Sequence, residues 1–462
     1  LISALGRRPW LLSLLAALCT GCTVQPSFQG NNSTELPLPP AIEVAFNQRQ
    51  DHSYRSPISG QQRPGDNLEE LLLQSIHRSQ REVLVAVQEL SLPQVALALA
   101  ERQRAGVQVR VVVENSYRQP WSNQHPAGLA PHQRQRLAQL KALADTDRNG
   151  ELSASEQLQG DAMAVLEGAG VQIIDDTADG SQGSGLMHHK FLVVDQRWVV
   201  VGSANFSSSD IHGDAGAPRT RGNVNHLLRF DSPALAQLFK REFELLWNKQ
   251  FGLKKQEGPA QTVHIGATEV TVLFAPHSKT DPNNGLQVLQ ELLATAKHQI
   301  DLALFVFSAQ ELADVLVGRV QAGVKLRALV DPGFASRSYS ELLDLMGVVL
   351  PDQRCSLEAG NAPWQRPISG AGSPRLAPGD KLHHKLAVID NETVVSGSFN
   401  WSPSAAHKND ETMLIIHSPT LAAHFSREMK RLWQGAELGI TPKLERKLNK
   451  ARRSCGASKV KG

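Results

Sequence analysis

The sequence predicts an α/β protein made of two pseudo-symmetric α/β/α sandwich halves with a site at their interface. Three observations predict it. At 462 residues the chain is too long for one small domain and suits two. Short β-branched runs alternate with longer amphipathic stretches, the pattern of a sheet covered on both faces by helices. The alternation also occurs twice, in the same order and with matching residues.

Residues 1–22 read as a signal peptide. Arg7 and Arg8 precede an apolar run, Trp10 to Cys19. The run is shorter than the roughly 20 residues that cross a bilayer and has the length of a signal-peptide core. It closes on Cys19-Thr-Gly-Cys22, which is similar to a bacterial lipoprotein cleavage box, although Cys19 stands where Leu is usual. That likeness makes Cys22 the lipidation candidate, with export to the cell envelope or periplasm and membrane association through the lipid. Residues 23–63, rich in Pro, Asn, Ser and Gln without a sustained period, read as a flexible linker.

The first half then spans 64–257 and the second 258–436. Residues 81–91, REVLVAVQELS, match 298–308, HQIDLALFVFS, and 105–114, AGVQVRVVVE, match 322–331, AGVKLRALVD, both at an offset of 217. The offset falls to 195 across LMHHKFLVVD and KLHHKLAVID, and to 186 across the helical segments 232–247 and 418–433. The first half therefore carries 22 extra residues between Glu114 and His188 and nine more after Asn205. Residues 437–462 are locally basic and read as a solvated tail.

A net charge of +3 imposes no field that demands nucleic acid or an anionic membrane as partner. With only 5% aromatic residues, stacking platforms for nucleic acid are scarce. Cys355 and Cys455 can pair in an oxidising compartment or remain free thiols, and the sequence leaves both open.

The repeated motif carries the chemistry. It runs His188-x-Lys190-x4-Asp195-x6-Gly202-Ser203-x-Asn205 and again His383-x-Lys385-x4-Asp390-x6-Gly397-Ser398-x-Asn400. Residues two apart in a strand share a face, so His188 points with Lys190, His383 with Lys385, and each Ser with its Asn. An imidazole, an ammonium and two uncharged donors on one wall suit a phosphate: the lysine neutralises charge while Asn and Ser bind oxygens. Two walls place two histidines on either side of one phosphorus, one to attack and one to protonate the leaving oxygen.

This doubled motif resembles the phospholipase D superfamily, over roughly residues 64 to 435. The resemblance implies a phospholipase D-like fold, phosphodiester hydrolysis or transfer through a phosphohistidine, no cofactor for catalysis, and a monomer, since one chain holds both motifs. It implies His188 and His383 as catalytic histidines, with His188 the nucleophile and His383 the acid and base. Lys190, Lys385, Asn205 and Asn400 become phosphate-binding groups, with Ser203 and Ser398 beside them. Asp195 and Asp390, an odd number of residues from their histidines, are structural. A downstream acid that orients a histidine is supplied by Glu411 for the second half, and Asn225 stands at the equivalent place in the first.

Within the extra residues lies Asp-Thr-Asp-Arg-Asn-Gly-Glu-Leu-Ser-Ala-Ser-Glu, 145–156, which fits the twelve-residue loop of an EF-hand. Asp145, Asp147 and Asn149 would give side-chain oxygens to Ca2+, Glu151 its carbonyl, Ser153 its hydroxyl or a water, and Glu156 a bidentate carboxylate. Flanking helices are expected within an insertion spanning 132–168. The reaction expected is hydrolysis of a phospholipid phosphodiester. An exported endonuclease acting on nucleic acid, or a phospholipid synthase, would use the same residues.

Overall fold

The fold comes from a computed structural model that describes residues 35–462 apart from 184, 215, 216, 218, 256 and 257. The signal peptide and Cys22 lie outside the described residues. Two large sheets carry the repeat. The first has seven strands in the order Ile42–Phe46, His226–Asp231, Trp198–Gly202, Lys190–Val194, Glu82–Val87, Gln108–Val113 and Gln172–Asp175. The second has nine, in the order Gln261–Ile265, Thr268–Ala275, Glu411–His417, Thr393–Gly397, Lys385–Ile389, Gln299–Leu304, Lys325–Val330, Ala371–Ser373 and Glu437–Leu438. Equivalent strands occupy equivalent places, and in each sheet Glu82–Val87 or Gln299–Leu304 joins an antiparallel motif pair to a parallel pair.

The central strands are mostly apolar because both faces are covered. All six residues of Glu82–Val87 are buried, with Val83, Val85 and Val87 facing one core and Leu84 and Ala86 the other. The matched helices Pro233–Trp247 and Pro419–Trp433 begin alike. Ser232 and Ser418 cap them by accepting the N–H of Leu235 and Leu421, with proline at the first helical position. Leu235, Phe239, Phe243 and Leu246, and likewise Leu421, Phe425, Met429 and Leu432, form stripes at helical spacing. These stripes and the inner faces of both sheets pack into one core shared by the halves, so residues 36–462 form one unit.

Three readings need correction. Part of the 23–63 linker is sheet: Ile42–Phe46 alternates buried and solvent-facing residues and closes the first sheet's edge against His226–Asp231. The basic tail contains an ordered helix, Pro442–Cys455, because Leu444, Leu448 and Ala451 give it an apolar stripe that packs on the second half's core. A disulfide between Cys455 and Cys355 holds its end. In the insertion, the helix Pro131–Ala144 precedes the acidic loop. The segment after it is two helices, Ala154–Gly160 and Ala162–Gly168, because Asp161 breaks the first and caps the second.

Candidate active site

Each half brings its motif to the end of a central strand, with Lys190 and Lys385 as first strand residues. The residues just before them reach into the other half. His188 N–H donates to the carbonyl of Asp410 at 2.9 Å, and His383 N–H to that of Val224 at 3.0 Å. Met187 forms a bridge with Asp410, and Leu382 with Val224.

The side chains cross in the same way. Sequence order pairs Glu411 with His383 and Asn225 with His188; the structure exchanges them. Glu411 Oε2 lies 2.7 Å from Nδ1 of His188, and Asn225 Oδ1 lies 3.0 Å from Nδ1 of His383. The reason is that residues 223–225 and 409–410, which lead into the strands His226–Asp231 and Glu411–His417, extend beyond their own sheets and lie against the other half's motif. The serines are also corrected. Ser203 Oγ donates to Asn225 Oδ1 at 2.8 Å and Ser398 Oγ to Glu411 Oε2 at 2.6 Å, both fully buried, so each hydroxyl aims the group behind a histidine rather than facing a ligand. The glycines before them are required by close approach: a Cβ on Gly202 would sit 2.2 Å from the carbonyl oxygen of His226, and one on Gly397 2.3 Å from that of Thr412.

With Nδ1 engaged, Nε2 is the remaining nitrogen of each catalytic candidate, and both histidines are 6% exposed. Burial holds His188 down at about 4 against the upward pull of Glu411. His383 lies well below the usual imidazole range through burial and the charges of Lys385 and Lys190. Lys190 and Lys385 donate to the carbonyls of His188 and His383, each at 2.7 Å, which aims their ammonium groups. Burial lowers Lys190 to about 8, and burial together with the charge of Lys190 lowers Lys385 to about 7. Two buried ammonium groups, one near enough to lower the other's proton affinity, make a site that favours an anion. Asn205 and Asn400 each keep Oδ1 buried and unpartnered.

Asp195 and Asp390 sit at the far end of the motif strand. Asp195 accepts the N–H groups of Gln80, Arg81 and Glu82 at 2.7–3.0 Å, and Asp390 those of Lys297, His298 and Gln299 at 2.7–2.8 Å. They tie the hairpin turn to the start of the neighbouring strand.

Sequence reasoning missed a second histidine in each motif. His189 is buried between Thr412 Oγ1 at 2.8 Å and Glu242 Oε1 at 3.0 Å, and His384 between His226 Nδ1 at 2.9 Å and Glu428 Oε1 at 3.1 Å. Both motifs read His-His-Lys, and Glu242 and Glu428 occupy the same repeat position, so the signal was there to be found. His189, Glu242 and Asp410 cluster like metal ligands, but Lys255 Nζ contacts both carboxylates and takes the place a cation would have between them. It also missed an asymmetry. Gln88 and Phe305 are repeat equivalents; Gln88 accepts from Lys190 Nζ at 3.3 Å, whereas Phe305 lies 5.0 Å from Lys385 Nζ and packs edge-on against both His383 and Phe334.

The acidic loop expected to hold calcium brings its carboxylates together. Oxygens of Asp145, Asp147 and Glu156 lie within 4.8 Å of one another, Gly150 takes the positive φ of +87° that the turn needs, and Leu152 packs toward Trp121, Leu137 and Ala144. Asn149, Glu151 and Ser153 lie on the same turn, with Ser153 Oγ donating to Glu156.

Comparison with known proteins agrees with the two-half fold. The family model described as "Cardiolipin synthase, PLD-like domain" matches residues 72–247 and again 289–433, one match per half. A mitochondrial cardiolipin hydrolase of Xenopus tropicalis is 29% identical over 143 residues, 31% of this chain and 58% of that protein. A phospholipase D of Rickettsia bellii is 24% identical over 158 residues, 34% of this chain and 66% of that protein. The chain thus spans little more than half the length of the first of these relatives. The phosphatidylserine synthase of Haemophilus influenzae Rd KW20 superposes over 90% of this chain and 96% of its own with a TM-score of 0.53 at 12% identity, a likeness of fold. With two matched segments covering more than half of its length, the chain belongs to the cardiolipin synthase, PLD-like domain family.

Proposed function

We propose that this protein hydrolyses phospholipid phosphodiester bonds through a phosphohistidine on His188, with His383 as acid and then base. The observation that carries the reading is the crossed pair, in which each half holds the other's histidine by Nδ1 and leaves Nε2 for chemistry. His188 Nε2 attacks phosphorus as the bond to the leaving alcohol breaks, and protonated His383 gives its proton to that oxygen. Glu411 stabilises the positive ring formed on His188. Neutral His383 then takes a proton from water, whose oxygen displaces His188 and releases a phosphate monoester. Lys190, Lys385, Asn205 and Asn400 hold the non-bridging oxygens. An arriving phosphodiester, being anionic, raises the proton affinity of His383 and so supplies the acid when it is needed.

The phospholipid reading draws on relatives named for cardiolipin hydrolysis and phospholipase D, and on the Phe305–Phe334 wall beside His383. Export and anchoring through Cys22 belong to the same reading, as does action as a monomer. Calcium at 145–156 is proposed to brace the insertion; when bound it supplies charge neutralisation for Asp145, Asp147 and Glu156.

The test is a panel of phosphatidylcholine, phosphatidylglycerol, cardiolipin, bis-p-nitrophenyl phosphate, and single- and double-stranded DNA, each with His188→Ala and His383→Ala controls. Lipid turnover lost in both variants is expected. Turnover of DNA but no lipid would replace the phospholipase reading by a nuclease one.

A further inference from the structure

We infer that the helix Pro442–Cys455 forms, with the apolar residues at its ends, a docking surface for an anionic phospholipid bilayer, seating the mouth of the active site on the membrane. The inference rests on the phospholipid reading for its purpose, and its geometry stands apart from the catalytic residues.

Residues 437–462 carry eight Lys and Arg against two Glu in a chain whose net charge is only +3. The helix turns Leu444, Leu448 and Ala451 inward. Lys443, Arg446, Lys450 and Arg453 recur every three or four residues on its exposed side, and at about 100° per residue Glu445 falls on the other flank. None of these four cations forms a salt bridge among the described residues. Lys447 is lowered by burial and by the charges of Lys443 and Arg337, the mark of a cationic cluster lacking a counter-charge.

Apolar side chains frame this stripe. Of the eight large apolar residues exposed among the described residues, Leu438 (40%) and Ile440 (45%) immediately precede the helix. Leu357 (47%) lies two residues from Cys355, which is bonded to the helix's last residue. Cations flanked by exposed apolar side chains match the two components of interfacial binding, attraction to anionic headgroups and shallow apolar insertion.

The surface is tied to the site. Lys443 Nζ donates to the carbonyl of Pro332 at 3.4 Å and Lys447 Nζ to that of Ser336 at 2.8 Å. Between these two carbonyls the loop carries Phe334, which packs 4.6 Å from Phe305, itself 4.8 Å from His383. A cavity of about 320 Å³ lined by Pro332, Ser336, Arg375 and Lys443 lies between loop and helix. The disulfide keeps the helix from peeling away when its cations are pulled toward a charged surface. A nucleic acid would meet the same charges, but it gains nothing from Leu357, Leu438 and Ile440.

The experiment uses the 462-residue chain with Cys22→Ser, so that no lipid anchor contributes, and measures co-sedimentation with vesicles of phosphatidylcholine alone or with phosphatidylglycerol added. Binding to the anionic vesicles, weakened by salt, is expected. Combined Lys443→Gln, Arg446→Gln, Lys450→Gln and Arg453→Gln should weaken it on the order of 1,000-fold, about fivefold for each cation removed, while bis-p-nitrophenyl phosphate turnover stays unchanged. Leu438→Ser with Ile440→Ser should weaken it independently of salt. Undiminished vesicle binding in the quadruple variant overturns the inference, as does binding of DNA without binding of vesicles. Bis-p-nitrophenyl phosphate turnover that is absent from the parent protein instead overturns the catalytic reading and leaves the binding result to stand by itself.

Discussion

Nδ1 of His188 and Oε2 of Glu411 lie 2.7 Å apart, although 223 residues and the boundary between two sheets separate them in the chain. The pair makes each half's chemistry dependent on the other and gives the two histidines different hydrogen-bond partners, a carboxylate for His188 and an amide for His383, whose nearest carboxylate, Asp210, stands 3.7 Å away.

Glu411→Gln keeps the shape and removes the charge. Stabilisation of the positive ring on His188 is lost, so kcat for bis-p-nitrophenyl phosphate should fall by about 100-fold or more with little change in KM. Ser398→Ala, which leaves the Glu411 charge in place while removing one of its donors and the acceptor of the Thr412 N–H, should cost less. Equal losses for the two in steady-state kinetics would show that the carboxylate acts only as a spacer.

Rapid quenching with a labelled phosphodiester should trap phosphate on the peptide containing His188. With His383→Ala the label should persist, because the base for the second step is gone. Label on His383 alone would reverse the assignment.

Anion binding should depend on pH through Lys385. Its affinity for protons is lowered to about 7, so it is charged below and neutral above that value. Inhibition by sulfate, whose own charge is constant, should therefore weaken as pH rises through about 7. Lys385→Arg retains its charge and should move the weakening toward about 8, where Lys190 titrates. A sulfate inhibition constant that is flat from pH 6 to 9 would remove the lysine from the anion site.

Calorimetry should show one calcium ion bound, abolished by Asp145→Ala with Glu156→Gln. Chelation should lower the thermal midpoint and expose the Pro131–Ala144 helix to protease, while turnover of the soluble phosphodiester persists. No heat on addition of calcium would remove the metal from this loop.

The disulfide closes a loop of 100 residues. Chain-entropy arguments put such a link at roughly 2–5 kcal/mol. Reduction, or Cys455→Ser, should release the Pro442–Cys455 helix to proteolysis. An unchanged cleavage pattern would mean that the packing of Leu444 and Leu448 suffices by itself.

The amino-acid sequence by itself determined the duplication, the two strand-and-helix halves and the motif residues, because period and spacing are local properties that survive in one dimension. Strands such as Glu82–Val87 and caps such as Ser232-Pro233 are legible for that reason. It did not determine which partner stands behind which histidine. Asn225 and Glu411 follow their own motifs in order, yet they stand where their strands begin, against the other half, so only the packing of the halves decides the exchange. The inward turn of Ser203 and Ser398 and the docking of the basic helix were likewise decided in three dimensions. A hydroxyl's partner depends on what lies across the interface, and an amphipathic tail becomes structure only when a core is present to cover its apolar stripe.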